Sequence, residues 1–331
     1  MADVAVPATA TATPAVAPAR MLRAVGRALV TRLTQLVALL LVVSTALFFL
    51  LRLSGDAARV LAGENASPET IELVRAQYGL DRPLVVQYGV FVGQLLRLDF
   101  GTSLYNGQDA LALVLERAPA TLQMSALAVL VSALLAVPIG TWLGARSGGR
   151  ARNVVTVLIS CVQGVPGFVT GLLLIQVFAV WWGVLPSIAG SGWTSLPLPI
   201  LTLTAFLVPQ LIRVLAASTG EVMRQDYVRT AVANGAGRGT VVARHALPNA
   251  LLGVTALLGS QFAALMSGAM LTEFIFAWPG LGLLLINSVT TLDFPLVQAT
   301  VFVIAVLVFL VNLAMDIVFQ VVDPRLRRRA A

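Results

Sequence analysis

Long apolar runs separated by short polar ones set the pattern of this chain. Runs at about 33–51, 121–145, 154–182, 197–213, 250–271 and 299–321 are each long enough to read as one helix crossing a membrane. At 1.5 Å per residue, about 20 such residues cover the roughly 30 Å hydrocarbon core. The first run ends Phe-Phe-Leu-Leu-Arg, without a small-residue cleavage site, so it is expected to be a retained anchor. Pro138 interrupts the second run, and Gly164-Val165-Pro166-Gly167-Phe168 predicts a bent or close-packed backbone near one end of the third. Trp181 and Trp182 suit an interfacial belt, while small residues in the fifth run, Gly253, Gly259 and Ser267 among them, allow close approach.

The polar segments differ in character. Residues 1–27 begin as an Ala, Thr, Pro and Val tail with too little to bury and are expected to be disordered; 329–331 form a short tail at the other end. Residues 52–119 carry helix signals such as Ser67-Pro68-Glu69, an N-cap followed by proline in the first turn. The most polar interruption is 225–249. It predicts a short helix over about 221–234, a stop at Gly235, Gly237 and Gly239, and a second helix that runs through Pro248 into apolar sequence.

Composition narrows the function. With 58% hydrophobic and 11% charged residues and a mean hydropathy of +0.90, the chain reads as an all-α integral membrane protein. All 22 basic residues are arginine, so the lysine of a GxxxxGK[ST] phosphate loop is absent and any ATP chemistry belongs to a partner. One histidine and one cysteine, Cys161, build no His or Cys metal site and no intrachain disulfide, and no catalytic set is evident.

The net charge of +7 is dispersed between apolar runs rather than clustered, which argues against nucleic acid. Segment by segment, the tail, the second-to-third connection, the stretch 213–248 and the C-terminus are each +3, whereas 52–119 and 272–298 are each −2. Arginine accumulates on the cytoplasmic side, so six spans with both termini and the polar island inside are expected.

The island also carries a resemblance. Arg229-Thr230-Ala231, then Gly235, then His245-Ala246-Leu247-Pro248 keep the spacing of the cytoplasmic loop of ABC-importer permeases, with Arg, Thr and His at positions where the general pattern has Glu, Ala and Ile. Asp226-Tyr227-Val228-Arg229-Thr230-Ala231 and the later Arg244-His245-Ala246-Leu247 resemble the dipeptide, oligopeptide and nickel branch of that family. So do Tyr78-Gly79-Leu80-Asp81, Leu98-Asp99-Phe100-Gly101, Glu273 with Trp278-Pro279-Gly280, Asp293-Phe294-Pro295 and Asp323-Pro324-Arg325. Ser54-Gly55-Asp56-Ala57 lacks the two prolines usual after the first span.

The resemblance implies a type I, MetI-like permease fold of six spans over 28–328, with an extracytoplasmic segment at 52–119 and a coupling loop at 218–248. It implies a homologous second permease, two ABC ATPase subunits that bind the ATP and magnesium, an extracytoplasmic solute-binding protein, and residence in a bacterial inner membrane. This chain would hold no cofactor. Asp226, Tyr227, Arg229, Thr230, Ala231, Gly235, His245, Leu247 and Pro248 are the residues expected to dock on an ATPase, and Gln261, Ser267, Glu273, Trp278 and Asp293 the candidates for the solute pathway or for contact with the binding protein. Several readings stay open. Glu273 is a contact residue or a satisfied structural carboxylate, Asp316 a proton relay or a structural partner, and His245 a switch or a packing residue. The alternative class is a stand-alone secondary transporter or channel.

Overall fold

In a computed structural model the chain is described over residues 18–322, apart from 55–56, 64–65, 78, 147 and 191–192. Helix α1 (Pro18–Ser54) leads into an outer segment of three shorter helices, α2 (Ala57–Ala62), α3 (Pro68–Gln77) and α4 (Leu84–Leu96). There follow α5 (Ala110–Ala145), α6 (Arg150–Gly164) and α7 (Gly167–Leu174), the last continuing in wide π turns over Ile175–Trp181. After α8 (Pro197–Val222) come α9 (Asp226–Ala233), α10 (Arg238–Val241), α11 (Leu247–Gly268), α12 (Met270–Ile275), α13 (Leu281–Thr290) and α14 (Phe294–Val322). Five helices are long and apolar enough to cross a membrane, and α6 with α7 make a sixth crossing if the bent pair is one span.

The core lies between α5, α8 and α11. The apolar windows of α8 and α11 are each 44% buried, against 6% for α14, which places α14 at the periphery. Met124, Ala128, Ala136 and Leu143 of α5 pack on Leu207, Leu211, Ile212 and Leu215 of α8. Gly140 and Gly144 make this closeness possible. A Cβ on Gly144 would stand 2.5 Å from the Ala216 carbonyl oxygen and 2.6 Å from Thr219 Cβ, so no larger residue fits without parting the helices.

One expectation holds and two are corrected. The third span is bent near one end, α6 and α7 meeting at 98°. Val165 precedes Pro166 and is held extended (φ −89°, ψ 125°), which ends α6. The fourth span runs nine residues past Arg213 to Val222, because Leu215 and Thr219 stay fully buried against the α5 glycines. Residues 18–27, placed in the tail from sequence, are the first turns of α1. Residues 1–17, the turn at Gly55-Asp56, Tyr78 and the closing Asp323-Pro324-Arg325 lie outside the described residues.

The outer segment is tied to the end of α1. Tyr88 Oη and Thr45 Oγ1 stand 2.7 Å apart, and Arg52 Nη2 donates to Gln87 Oε1 at 2.6 Å while its guanidinium lies 3.5 Å from the centre of the Phe48 ring. Ser67 Oγ accepts the Thr70 amide at 3.2 Å, the N-cap that the sequence predicts. Nearer the opposite end of α1, Arg32 pairs with Asp316, joining α1 to α14 and giving Asp316 a structural partner.

Candidate functional site

The polar island folds as an elbow at the C-terminal end of α8. After Val222 a turn leads to Gln225 in an extended conformation, and α9 begins with Asp226 in its first turn, where a negative charge suits the helix dipole. Val228 is buried and anchors α9, whereas Asp226, Tyr227, Arg229 and Thr230 are exposed and Ala231 is half-buried. Asp226 and Arg229 approach to 3.5 Å on the exposed face, and Thr230 Oγ1 donates to the Asp226 carbonyl at 3.0 Å. The helix is stopped by glycine as the sequence predicts. Gly235 has φ +85°, its N–H reaches the Val232 carbonyl at 3.0 Å, and the Ala236 N–H reaches Ala231 at 3.1 Å, the paired bonds of a Schellman ending.

The return arm is α10 and wide turns over Val242–Ala246, which lead into Leu247 and Pro248 at the start of α11. The Tyr227 ring lies 6.5 Å from that of His245. Asn249 Nδ2 donates to the His245 carbonyl at 2.8 Å and lies 3.5 Å from Tyr227 Oη. His245 thus packs between the arms. Val228, Val241 and Ala246 are buried at the elbow, while Pro248 and the polar residues of α9 remain exposed. The exposed face of α9 thus carries Tyr227 and Val232 beside Asp226, Arg229 and Thr230.

Around α12, α13 and the start of α14, three candidates are held in hydrogen bonds within the fold. Glu273 is completely buried, and its Oε1 accepts from Thr121 Oγ1 at 2.6 Å. Its Oε2 accepts the amides of Gly282 at 2.6 Å and Leu283 at 3.1 Å, so the carboxylate caps the N-terminus of α13. Thr121 Oγ1 in turn accepts the Leu281 amide at 2.8 Å, and Trp278 Nε1 donates to the Ala120 carbonyl at 3.0 Å. Burial pushes the Glu273 carboxyl pKa up, while Thr121, Leu283 and Gly282 pull it down. The close fit explains the glycines of Trp-Pro-Gly-Leu-Gly: a Cβ on Gly280 would lie 2.4 Å from Glu273 Oε1, and one on Gly282 would lie 2.5 Å from Met270 Cα. Asp293, also buried, accepts from Ser103 Oγ at 2.5 Å and from the Leu296 amide at 3.3 Å, capping α14. Glu273 and Trp278 are thus held in structural hydrogen bonds in this conformation, whereas Asp293, though nearly buried, also lines a cleft beside them.

The other two candidates lie in α11. Gln261 Nε2 donates to Gln210 Oε1 of α8; Ser267 is in the same helix, its side chain outside the described residues. Sequence reading passed over Gln210 and the bridging role of Thr121. The signal for the first was an amide in the middle of an apolar run; for the second there was none beyond its place at the start of the second run. Above the Glu273 latch a cleft of about 410 Å³ opens between Tyr105, Asn106, Arg117, Asn287 and Thr291.

Residues 136–328 match the family described as binding-protein-dependent transport system inner membrane component, and residues 25–125 match its N-terminal region. The glutathione transport system permease protein GsiC of Salmonella choleraesuis (strain SC-B67) is 35% identical over 301 residues, covering 89% of this chain and 97% of that protein. The GsiC protein of Escherichia coli (strain K12) matches to the same extent. Among solved structures, a chain of the MetNI methionine ABC transporter in an inward-facing conformation superposes with a TM-score of 0.56 at 20% identity, over 64% of this chain and 96% of that one, which supports the fold. The chain therefore belongs to the binding-protein-dependent inner membrane component family: it is a multi-pass permease subunit of an ABC importer, not an enzyme, and ATP hydrolysis lies in its partner subunits.

Proposed function

We propose that this permease carries peptides or a similar small amide-bearing solute, and that α9 is the part that takes up force from an ATPase. The family associates with ATPase subunits, a binding protein and a second permease. The finer arrangement proposed is two ATPases bound to α9 of this chain and to its counterpart in a homologous second permease. The solute-binding protein then engages the outer segment around α2–α4 and the 410 Å³ cleft. Both termini and the elbow face the cytoplasm of a bacterial cell, as the +3 segments favour. ATP and magnesium are held by the partners, since this chain has no lysine for a phosphate loop. Membership of the family replaces the alternative of a stand-alone transporter or channel. The glutathione transport of its 35% identical relatives supports a short peptide as cargo.

The observation that carries this reading is the elbow itself. A short helix with an open face follows directly on one of the two most deeply buried spans, and its far end is fixed by a left-handed glycine. Gly235→Val tests it. Nothing lies within 4 Å of a Cβ at this position, so the strain is purely in the backbone, about 1 kcal/mol or more at positive φ. In the assembled complex, ATP-driven glutathione uptake should fall sharply and ATPase activity should lose its dependence on the binding protein. Gly235→Asn, which tolerates that φ, should retain both. A Gly235→Val complex with normal yield and wild-type uptake would refute the coupling role.

A further inference from the structure

We propose that the cleft at the α6–α7 bend, flanked by Gln163, Thr170 and Gln210 and backed by Gln261, is a mid-membrane subsite for the amide groups of a passing peptide. The proposal rests on the permease reading and adds to it the place and chemistry of solute contact. It begins with depth. Gln163, Gln210 and Gln261 lie 12 to 14 residues from the Arg150, Val222 and Leu247 ends of their helices, or about 20 Å along each axis. Gln210 stands near the middle of α8, Gln163 lines the same cleft and Gln261 bonds to Gln210, so amides from three helices come together about halfway along a spanning helix.

Amides at that depth are costly unless they meet protein or water. Gln210 and Gln261 bond to each other, and since each amide has two donors and an acceptor with two lone pairs, both keep unused capacity. Gln163 is exposed, and among the described residues its side chain has no hydrogen-bond partner. The backbone points the same way. At Val165-Pro166 the helix is interrupted, and irregular backbone at membrane depth persists only where it is covered by protein or lines a wet cavity. Open space is present: a Cβ on Gly164 or Gly167 would meet nothing within 4 Å, and the cleft measures about 390 Å³, within the range of small-ligand sites.

The chemistry of the lining selects the class of solute. Gln163, Gln210 and the Thr170 hydroxyl offer both donors and acceptors, the pattern that pairs with peptide N–H and C=O groups, and no charged side chain lines the cleft. A fixed charge in this medium would hold an opposite charge too tightly to release it, whereas neutral amides bind and let go.

The test uses the complete transporter with its ATPases, second permease and binding protein. Gln163 is the residue to change first, because it bonds to nothing among the described residues and its replacement leaves the packing alone. With glutathione and an alanine tripeptide as probes, Gln163→Leu should lower uptake about tenfold at wild-type yield of assembled complex, and Gln163→Asn should recover most of the loss. Uptake by Gln163→Leu within twofold of wild type overturns the subsite while leaving the permease reading intact. No ATP-driven uptake of either probe by the wild-type complex sinks the peptide reading and the subsite together. A second measurement does not depend on cargo. In a Cys161→Ala background, a membrane-impermeant maleimide should label Gln163→Cys at least about tenfold faster than Leu158→Cys, whose side chain is exposed on the same helix. Equal, slow labelling at the two positions places Gln163 against lipid and overturns the proposal.

Discussion

Gly280→Ala puts the account of the outer latch at risk. The new methyl would stand 2.4 Å from Glu273 Oε1 and 2.5 Å from its Cδ, about 1 Å inside any ordinary contact. Either the carboxylate or the turn that carries Pro279 must move. The carboxylate accepts bonds of 2.6 Å from Thr121 and 2.6 Å from Gly282, so a shift of that size breaks at least one of them. Overpacking costs about 1–3 kcal/mol and a lost hydrogen bond to a charged group about 1.5–3 kcal/mol, so the substitution should destabilise by about 3 kcal/mol or more. Glu273→Ala should cost a similar amount, by leaving buried donors unpaired. Melting of the purified chain in detergent, followed by fluorescence-detected gel filtration after heating, measures each. The decisive comparison is the double variant. If the methyl harms the protein only by striking the carboxylate, adding Gly280→Ala to Glu273→Ala should lower the melting temperature little further. Additive losses, or a Gly280→Ala protein that melts like wild type, would refute the reasoning.

Other outcomes follow from the same geometry. Asp316→Asn should leave uptake and its pH dependence near wild type, since its partner is Arg32 and an exposed pair is worth about 1 kcal/mol or less; a lost proton dependence of uptake would restore the relay. Gly144→Leu should part α5 from α8 and sharply reduce the yield of folded protein, whereas Gly148→Leu, with nothing within 4 Å of its Cβ, should not; equal yields would contradict the packing. In a Cys161→Ala background, a cysteine at position 75 should react with an external impermeant reagent and one at position 238 only after the inner face is opened, and the reverse pattern would invert the orientation.

The parts of this fold that could be read from sequence are those governed by short-range rules. Membrane thickness and apolar run length set the crossings, and the requirement of Gly235 for positive φ set the end of α9. What could not be read depended on partners distant in the chain. Arg213 looks like the end of a span; the helix continues because Thr219 lies against Gly144, some 75 residues earlier. Gly-Val-Pro-Gly announces a bend, but not its 98°, which depends on how α7 seats on α8. Glu273 was undecided between two readings until Thr121 stood beside it. Gln163, Gln210 and Gln261 come together only once three helices are placed side by side.

The backbone contact at Gly144 has a mechanical consequence. At that point the two helices touch main chain to main chain with no soft side-chain layer between them, so α5 and α8 form a beam coupled at the end that leads into α9. That beam carries α9 at its inner tip, and α8 alone is about 39 Å long. At that length a tilt of about 5° about the inner end sweeps the outer end through about 3 Å. There, Thr202 of α8 and Phe276, just beyond α12, both lie against Gly171 of α7: a Cβ on that glycine would stand 3.3 Å from Thr202 Cγ2 and 3.4 Å from the Phe276 ring. A few degrees of rotation delivered at the α9 end thus arrives at the far end of α8 as a displacement about the width of a water molecule.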